Sequence, residues 1–268
     1  MKILNIVAFY DNYEEVRSYI SNLKAVSKGR VDLCIVVNKD TNKRMINLVD
    51  EYRDIRVFNF SRNVGYLNSM LMVINEISLR KYSYVVLSNT DIQYPDKEVF
   101  SKLLGRRYGE DIGCIAPCVY SIATGSFSNP HYSKRIPKGK IKRLILIFTF
   151  PVLALFYSRL SSLRAMYWKK TKKGSQYVYS PHGSYMIFTR EFIERIKGYI
   201  YPTLMYSEES CVGELLICNG MRCYYDDQLN IEHLEGSVTS LLALKSKCRY
   251  IRESLEYIYS EFYQKANQ

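Results

Sequence analysis

The 268-residue chain is 47% hydrophobic and 24% charged, a composition that supplies one large core or two small ones and argues against disorder away from the ends. Seven cysteines, an odd number without a C-x-x-C pair, argue against a disulfide framework or a zinc ribbon and fit core thiols in a reducing compartment. The formal net charge of +12 admits nucleic acid, membrane or phosphorylated partners.

Residues 2–10, KILNIVAFY, read as a β run with no small-residue cleavage site of a signal peptide. DNYEEVRSYISNLKAV then carries helical spacing at Val16, Ile20, Leu23 and Val26, with Asn12 and Glu15 as a capping pair. VDLCIVVN predicts the second strand, a helix pattern runs through Met45, Leu48 and Val49, and IRVFNF predicts the third strand. NSMLMVINEISLRKY reads as the next helix and YSYVVLSN as the fourth strand. Strand and helix alternating at this spacing predict an α/β fold, a mostly parallel sheet with helices on both faces.

Beyond IGCIAPCVY the pattern gives way to a turn-rich loop and then to the apolar run Leu144–Tyr157, which is too short to span a bilayer and holds Pro151 in its middle. From Ile112 to Arg190 there is no Asp or Glu, while the same stretch holds 13 Lys and Arg, so the rest of the chain is close to neutral. Lys138, Lys140, Lys142 and Arg143 precede the apolar run, and Arg159, Arg164, Lys169, Lys170, Lys172 and Lys173 follow it. A buried core helix is one reading. The favoured one is an interfacial segment on anionic lipid, with Tyr157, Tyr167 and Trp168 at headgroup level and each basic residue worth roughly 1 kcal/mol near the surface. Strand and helix resume in YVYSPHGSYMIFTREFIERIKGY, and YSEESCVGELLICNGMRCYYDD gives a helix through Val212, Leu215 and Leu216, a stop at Gly220 and a strand. NIEHLEGSVTS reads as a polar loop and LEYIYSEFYQKANQ as an amphipathic helix.

Four short features fall in order on this frame: Asn63-Val64-Gly65 after a strand, Asn89-Thr90-Asp91 at a strand end, YSEES before a helix, and HLEGS at 233–237. Taken singly, each has an ordinary explanation in an Asx turn, a turn glycine or an acidic helix start. A carboxylate at the carboxyl end of a sheet strand, however, stands where ligands bind in open α/β folds. As an ordered set the four resemble family 2 of the glycosyltransferases, in particular the bacterial rhamnosyltransferase-like branch of surface polysaccharide biosynthesis.

The resemblance implies a GT-A, Rossmann-like domain over residues 1–240, with a nucleotide-sugar half at 1–120, a basic membrane-proximal insertion at 121–175 and an acceptor half at 176–240, followed by a helical tail at 241–268. It implies an inverting hexosyl- or rhamnosyltransferase that carries a sugar from a UDP- or dTDP-sugar to a glycan or polyprenyl-diphosphate-linked acceptor. The enzyme would work in the cytoplasm, peripheral at the inner face of the cell membrane. Asp91 and His233 are implied ligands of Mg²⁺ or Mn²⁺, the imidazole suiting Mn²⁺ better. Glu208 and Glu209 match the acidic pair, with Glu209 as the base that takes the acceptor hydroxyl's proton. Tyr10, Asn63, Gly65, Asn89 and Asp91 fall on the donor-binding side. Where the family carries an Asp after the second strand this chain has VVNKDTN, leaving Asn38 or Asp40 to meet the donor base. Asn68 stands earlier than the family's corresponding Asn, and His182 in SPHGS reads as structural.

Two rivals are distinguishable. A nucleotidyltransferase would use a similar sheet and acidic metal site, but the chain lacks a Gly-rich phosphate cradle. A non-enzymatic nucleic-acid module would interleave its cations with aromatics, whereas here, despite 25 tyrosines, the cations flank an apolar run.

Overall fold

The structure is a computed structural model describing residues 1–39, 52, 54–167, 170–235 and 243–264. In chain order the elements are β1 (Lys2–Tyr10), α1 (Tyr13–Ser27), β2 (Val31–Lys39), β3 (Arg56–Asn59), α2 (Tyr66–Glu76), β4 (Tyr82–Ser88), β5 (Ile92–Gln93), α3 (Val99–Gly105), β6 (Ile112–Ser121) and β7 (Ser126–Phe127). There follow α4 (Lys138–Thr149), α5 (Pro151–Tyr167), β8 (Gln176–Val178), β9 (Tyr185–Thr189), α6 (Arg190–Arg195), α7 (Glu208–Cys218), β10 (Arg222–His233), α8 (Leu244–Tyr259) and a closing π turn, Ser260–Gln264. The helix expected through Met45, Leu48 and Val49 lies outside the described residues.

The strands form one sheet in the order β3-β2-β1-β4-β9-β6-β10-β5, with β7 beside β6 and β8 beside β10. β1 is buried on both faces, which is why its sequence, apart from Lys2 and Asn5, is apolar at successive positions and not alternating. Leu4 and Ile6 join the core that α2, α6, α7 and α8 cover, while Ile3 and Val7 join the core under α1 and α3. Val16, Ile20, Leu23 and Val26 form the buried stripe of α1, and Asn12 caps it by accepting the Glu15 N–H at 3.3 Å. Six of the seven cysteines are buried free thiols, and Cys218 is exposed.

Pairing among β3, β2, β1 and β4 is parallel, as the alternation requires. β9 enters between β4 and β6 and runs antiparallel to both. Its first residues therefore lie beside the carboxyl end of β4, and this placement builds the site.

Three elements differ from the sequence expectation. The helix expected over 68–82 starts earlier and stops at Glu76, because Ile77 is extended and the chain must leave room for Tyr82 to open β4. The stretch read as a loop from Asn230 is strand as far as His233: Ile231 and His233 are buried in alternation, after an irregularity between Asp226 and Asn230 that breaks the period-two pattern. The terminal helix begins at Leu244, eleven residues before the stretch read as helical.

The apolar run is two helices meeting at Phe150 with a bend of 119°. Among the described residues no single helix is long and apolar enough to cross a membrane, although this bent pair passes that test jointly.

Candidate active site

The site lies at the carboxyl end of β4. Below it, a buried polar cluster holds the strand: Ser88 Oγ donates to the Tyr19 hydroxyl at 3.1 Å, the Tyr19 and Tyr94 hydroxyls lie 2.9 Å apart, and Asn5 Nδ2 also donates to Tyr19. Hydroxyls and an amide buried this deeply need one another, so the cluster fixes where β4 stops. Beyond it the chain turns into β5, which pairs antiparallel with β10 and sets Ile92 opposite His233. Leu234 N–H donates to the Asp91 carbonyl at 3.0 Å. As a result the His233 imidazole Nε2 lies 3.1 Å from Asp91 Oδ1, both side chains being about nine-tenths buried, and 3.5 Å from Asn89 Nδ2.

The start of β9 joins this pair to the acids of α7. His182, Gly183 and Ser184 each hold a different part of the site. The His182 ring lies 5.9 Å from that of His233 and 5.2 Å from that of His131. Burial, followed by the neighbouring His131, pushes the His182 imidazole down to about 3, so it is neutral. Gly183 N–H donates to Glu209 Oε1 at 3.1 Å, and its carbonyl accepts from the Tyr66 hydroxyl at 2.7 Å. The Ser184 carbonyl accepts the Asn89 N–H at 2.9 Å. One tripeptide thus touches the Asp91–His233 pair, Glu209 and the start of α2.

A β-carbon on Gly183 would stand 2.7 Å from Glu209 Oε1, a flexible carboxylate end that can move aside. Gly183→Ala is therefore expected to shift that carboxylate at little cost in stability. Turnover should fall at least tenfold with an unchanged melting temperature, and a loss of both together would mean the glycine is needed for folding alone.

Glu208 is buried beside Glu209 at the first turn of α7, which follows two residues in left-handed backbone, Tyr206 (φ 73°) and Ser207 (φ 59°). Such conformations are costly for residues other than glycine and persist where the surroundings impose them.

The Asn63-Val64-Gly65 loop is braced from several sides. Asn38 Oδ1 accepts the Val64 N–H at 2.9 Å, and its Nδ2 donates to Ser69 Oγ at 3.1 Å. Asn63 Oδ1 accepts the Gly65 N–H at 2.9 Å, and Asn63 Nδ2 reaches the half-exposed Tyr10 hydroxyl at 3.4 Å. Asn68 clamps the loop before α7 through both the N–H and the carbonyl of Tyr201, at 2.9 and 2.7 Å. Asp40 lies outside the described residues, as do Gly236 and Ser237. Gly65 has φ +87°, and a β-carbon there would meet the Leu204 carbonyl oxygen at 2.5 Å. Backbone on both sides leaves nothing to yield. Gly65→Ala is expected to cost about 2 to 3 kcal/mol in urea unfolding, and a cost below 0.5 kcal/mol would contradict this account of the loop.

The model for the family described as Glycosyl transferase family 2 matches residues 5–192, well over half of the chain. The chain belongs to glycosyl transferase family 2. The match includes Asn63, Gly65, Asn89 and Asp91 and stops before Glu208, Glu209 and His233, so those three join the site through the geometry described above.

Among solved structures, the mannosyltransferase PcManGT from Pyrobaculum calidifontis, in complex with GDP-Man and Mn2+, is similar with a TM-score of 0.57 at 13% identity, over 89% of this chain and 58% of that one. GalNAc-T7 with UDP, GalNAc and Mn2+ gives 0.56 at 10% identity, over 100% of this chain and 57% of that one. S. aureus TarS gives 0.58 at 12% identity, over 99% of this chain and 73% of that one. At these identities the likeness is one of fold, GT-A, and the chain spans less than three-fifths of the first two. No curated protein matches the chain.

Among the described residues of this family 2 chain, no group of three or more His, Cys, Asp or Glu is arranged to hold a metal ion. Asp91 and His233 nevertheless present one carboxylate oxygen and one imidazole nitrogen to each other. That donor pair would suit a divalent cation of the Mn²⁺ kind.

Sequence reading passed over Tyr66 and took His182 as structural. Glu15, which accepts from the Thr90 hydroxyl, entered only as a capping partner; burial, before any charge, raises its carboxyl. The signal for the tripeptide was present in SPHGS, a glycine between two polar residues at a strand start, where backbone approaches another group closely.

Glu208 carries the clearest pH dependence. Burial, then the charge of Glu209, push its carboxyl up from 4.5 to about 8. A raised pKa means the folded state holds this proton more tightly than the unfolded chain. The stabilisation is full below the unfolded value and is lost as pH rises through about 8. Glu208→Gln keeps the shape and removes the titration. Between pH 5 and pH 8 the wild type should lose about 3 to 4 kcal/mol relative to this variant in urea unfolding, and parallel pH profiles would contradict the burial argument.

Proposed function

We propose that the protein is an inverting, metal-assisted glycosyltransferase that moves a hexosyl or rhamnosyl unit from a UDP- or dTDP-sugar to a glycan or polyprenyl-diphosphate-linked acceptor. The proposed setting is cell-surface polysaccharide synthesis in a bacterium, in the cytoplasm at the inner face of the cell membrane. Family membership and the Mn2+ and nucleotide-sugar partners of the similar structures support the transfer class. The observation that carries the reading is that Gly183, next to the His182 imidazole whose ring lies 5.9 Å from that of His233, also holds the Glu209 carboxylate.

In this reading Asn63, Gly65 and Tyr10 line the donor side, with Asn38 bracing the loop and Asp40 a further candidate for the donor base. Asn89, Asp91 and His233 face the donor diphosphate. Asp91 and His233 would hold a divalent cation, which when bound supplies positive charge against the leaving diphosphate. Glu209 accepts the proton of the acceptor hydroxyl while that oxygen forms its bond to the anomeric carbon and the bond from that carbon to the donor phosphate oxygen breaks. Glu208 is buried and protonated near neutral pH, so it is not the proton acceptor in this reading. A single base with direct displacement inverts the anomeric configuration. Residues 1–120 supply the donor half of this scheme, residues 176–240 the acceptor half, residues 121–175 the membrane-proximal insertion and residues 241–268 a helical tail.

The reading is tested by incubating the protein with UDP- and dTDP-sugars and a polyprenyl-diphosphate-linked glycan, then determining the anomeric configuration of the product by NMR. Inversion is expected. A product of retained configuration would contradict the direct opposite-face displacement proposed here.

A further inference from the structure

We infer that helix α5 is an exposed apolar wedge that lies in the surface of an anionic membrane, with Val152, Phe156, Leu160 and Leu163 as the inserted residues. The inference deepens the membrane part of the reading above and is independent of the transfer chemistry.

The two helices of the bent pair are unlike. Leu144, Ile145 and Phe148 of α4 pack against the main core, and Ile141 is fully enclosed. In α5 only Ala154 is buried among the described side chains. Val152, Phe156, Leu160 and Leu163 recur at helical spacing, form one stripe, and are between 58% and 65% exposed. Scattered apolar residues are ordinary on a protein surface, but a contiguous stripe of this kind marks a contact surface.

Charge decides what covers it. The stretch from Ile112 to Arg190 has 13 Lys and Arg and no Asp or Glu. Arg159 and Arg164 lie on α5 itself, and Lys138, Lys140, Lys142 and Arg143 lie on α4. A second copy docked on this stripe by two-fold symmetry would bring two cation-rich hairpins face to face with no carboxylate from either. An anionic lipid surface answers both features at once, accepting the apolar stripe below the headgroups and the cations among them.

The base of the hairpin also ties to the site. Arg135, three residues before α4, makes a two-pronged ion pair with Glu214 of α7, the helix that opens with Glu208 and Glu209. A docked α5 would therefore hold the catalytic helix in a fixed orientation to the surface, suited to an acceptor whose lipid stays in the bilayer.

The test is co-sedimentation of the full chain with vesicles of phosphatidylcholine alone or with 30% phosphatidylglycerol, comparing wild type with Phe156→Glu/Leu160→Glu and Val152→Glu/Leu163→Glu. All four positions are exposed, and circular dichroism melting confirms that the variants fold. Wild type is expected to bind the anionic vesicles, less so in high salt, and each double variant at least tenfold more weakly. Wild type left in the supernatant, or variants binding as well as wild type, would overturn the inference. So would a wild-type dimer in light scattering that the substitutions dissociate without any vesicle binding. Vesicle binding with no donor turnover would sink the transfer reading and leave this one standing.

Discussion

Glu209→Gln lowers turnover by about a hundred- to ten-thousandfold, the range seen when a positioned proton acceptor is removed. The amide keeps the size of the side chain and can still accept the Gly183 N–H that Glu209 Oε1 now accepts at 3.1 Å. Fold and donor affinity are therefore expected to be retained, and the loss should appear in kcat with KM for the donor nearly unchanged. Glu208→Gln separates the two acids. Glu208 is pushed up to about 8, so a neutral amide there resembles its state near neutral pH, and activity at pH 7 should fall severalfold at most. Steady-state kinetics on the two variants decide the assignment. A large loss with Glu208→Gln and a small one with Glu209→Gln would reverse it.

Arg135→Ala destabilises the fold by about 3 to 5 kcal/mol, because it strands a buried carboxylate. Glu214 is 1% exposed, and its two oxygens receive Arg135 Nε at 2.8 Å and Nη2 at 2.7 Å. Only the Tyr179 hydroxyl, at 2.8 Å, would remain to it among the bonds described. The guanidinium also lies 4.3 Å from the centre of the Tyr263 ring and donates to the Phe262 carbonyl at 3.2 Å, so its removal loosens the C-terminal turn as well. The melting temperature should fall by roughly 10 °C in a chain of this size. The double change Arg135→Met/Glu214→Leu is expected to recover most of that loss, since it removes the stranded charge along with its partner. Thermal unfolding of the three proteins is the check, and a single-variant loss below 1 kcal/mol would show that water reaches Glu214.

The half of the fold built from parallel strands was legible because β1, β2 and β4 are buried on both faces and the helices beside them on one. Runs such as KILNIVAFY and the spacing of Val16, Ile20, Leu23 and Val26 report those environments directly. His233 shows where that legibility stops. Its motif was recognisable, but its strand was not, since the irregularity after Asp226 interrupts the alternation that announces a strand. Likewise no local pattern says that β9 runs antiparallel beside β4, and that pairing alone delivers His182, Gly183 and Ser184 to Asn89, Glu209 and His233. Asp91 could be singled out because a lone carboxylate at a strand end is a local feature. Its partner could not be assigned by local reasoning, because the contact is made by β5 and β10 across most of the chain. In the basic segment, composition marked a cation-rich stretch without carboxylates, and Pro151 marked a break. The division of labour, with α4 packed and α5 exposed, depends on where α8 lies, and that is a tertiary fact.

The central claim is that the end of β4 is a donor site, and nucleoside diphosphate release from a panel of nucleotide-sugars with Mn²⁺ or Mg²⁺ tests it most directly, in the presence of membrane extract as acceptor source and with Asp91→Ala in parallel. The account predicts release from one donor by the wild type and its loss in Asp91→Ala. Release that Asp91→Ala leaves unchanged would contradict it, reducing Asn89-Thr90-Asp91 to a turn.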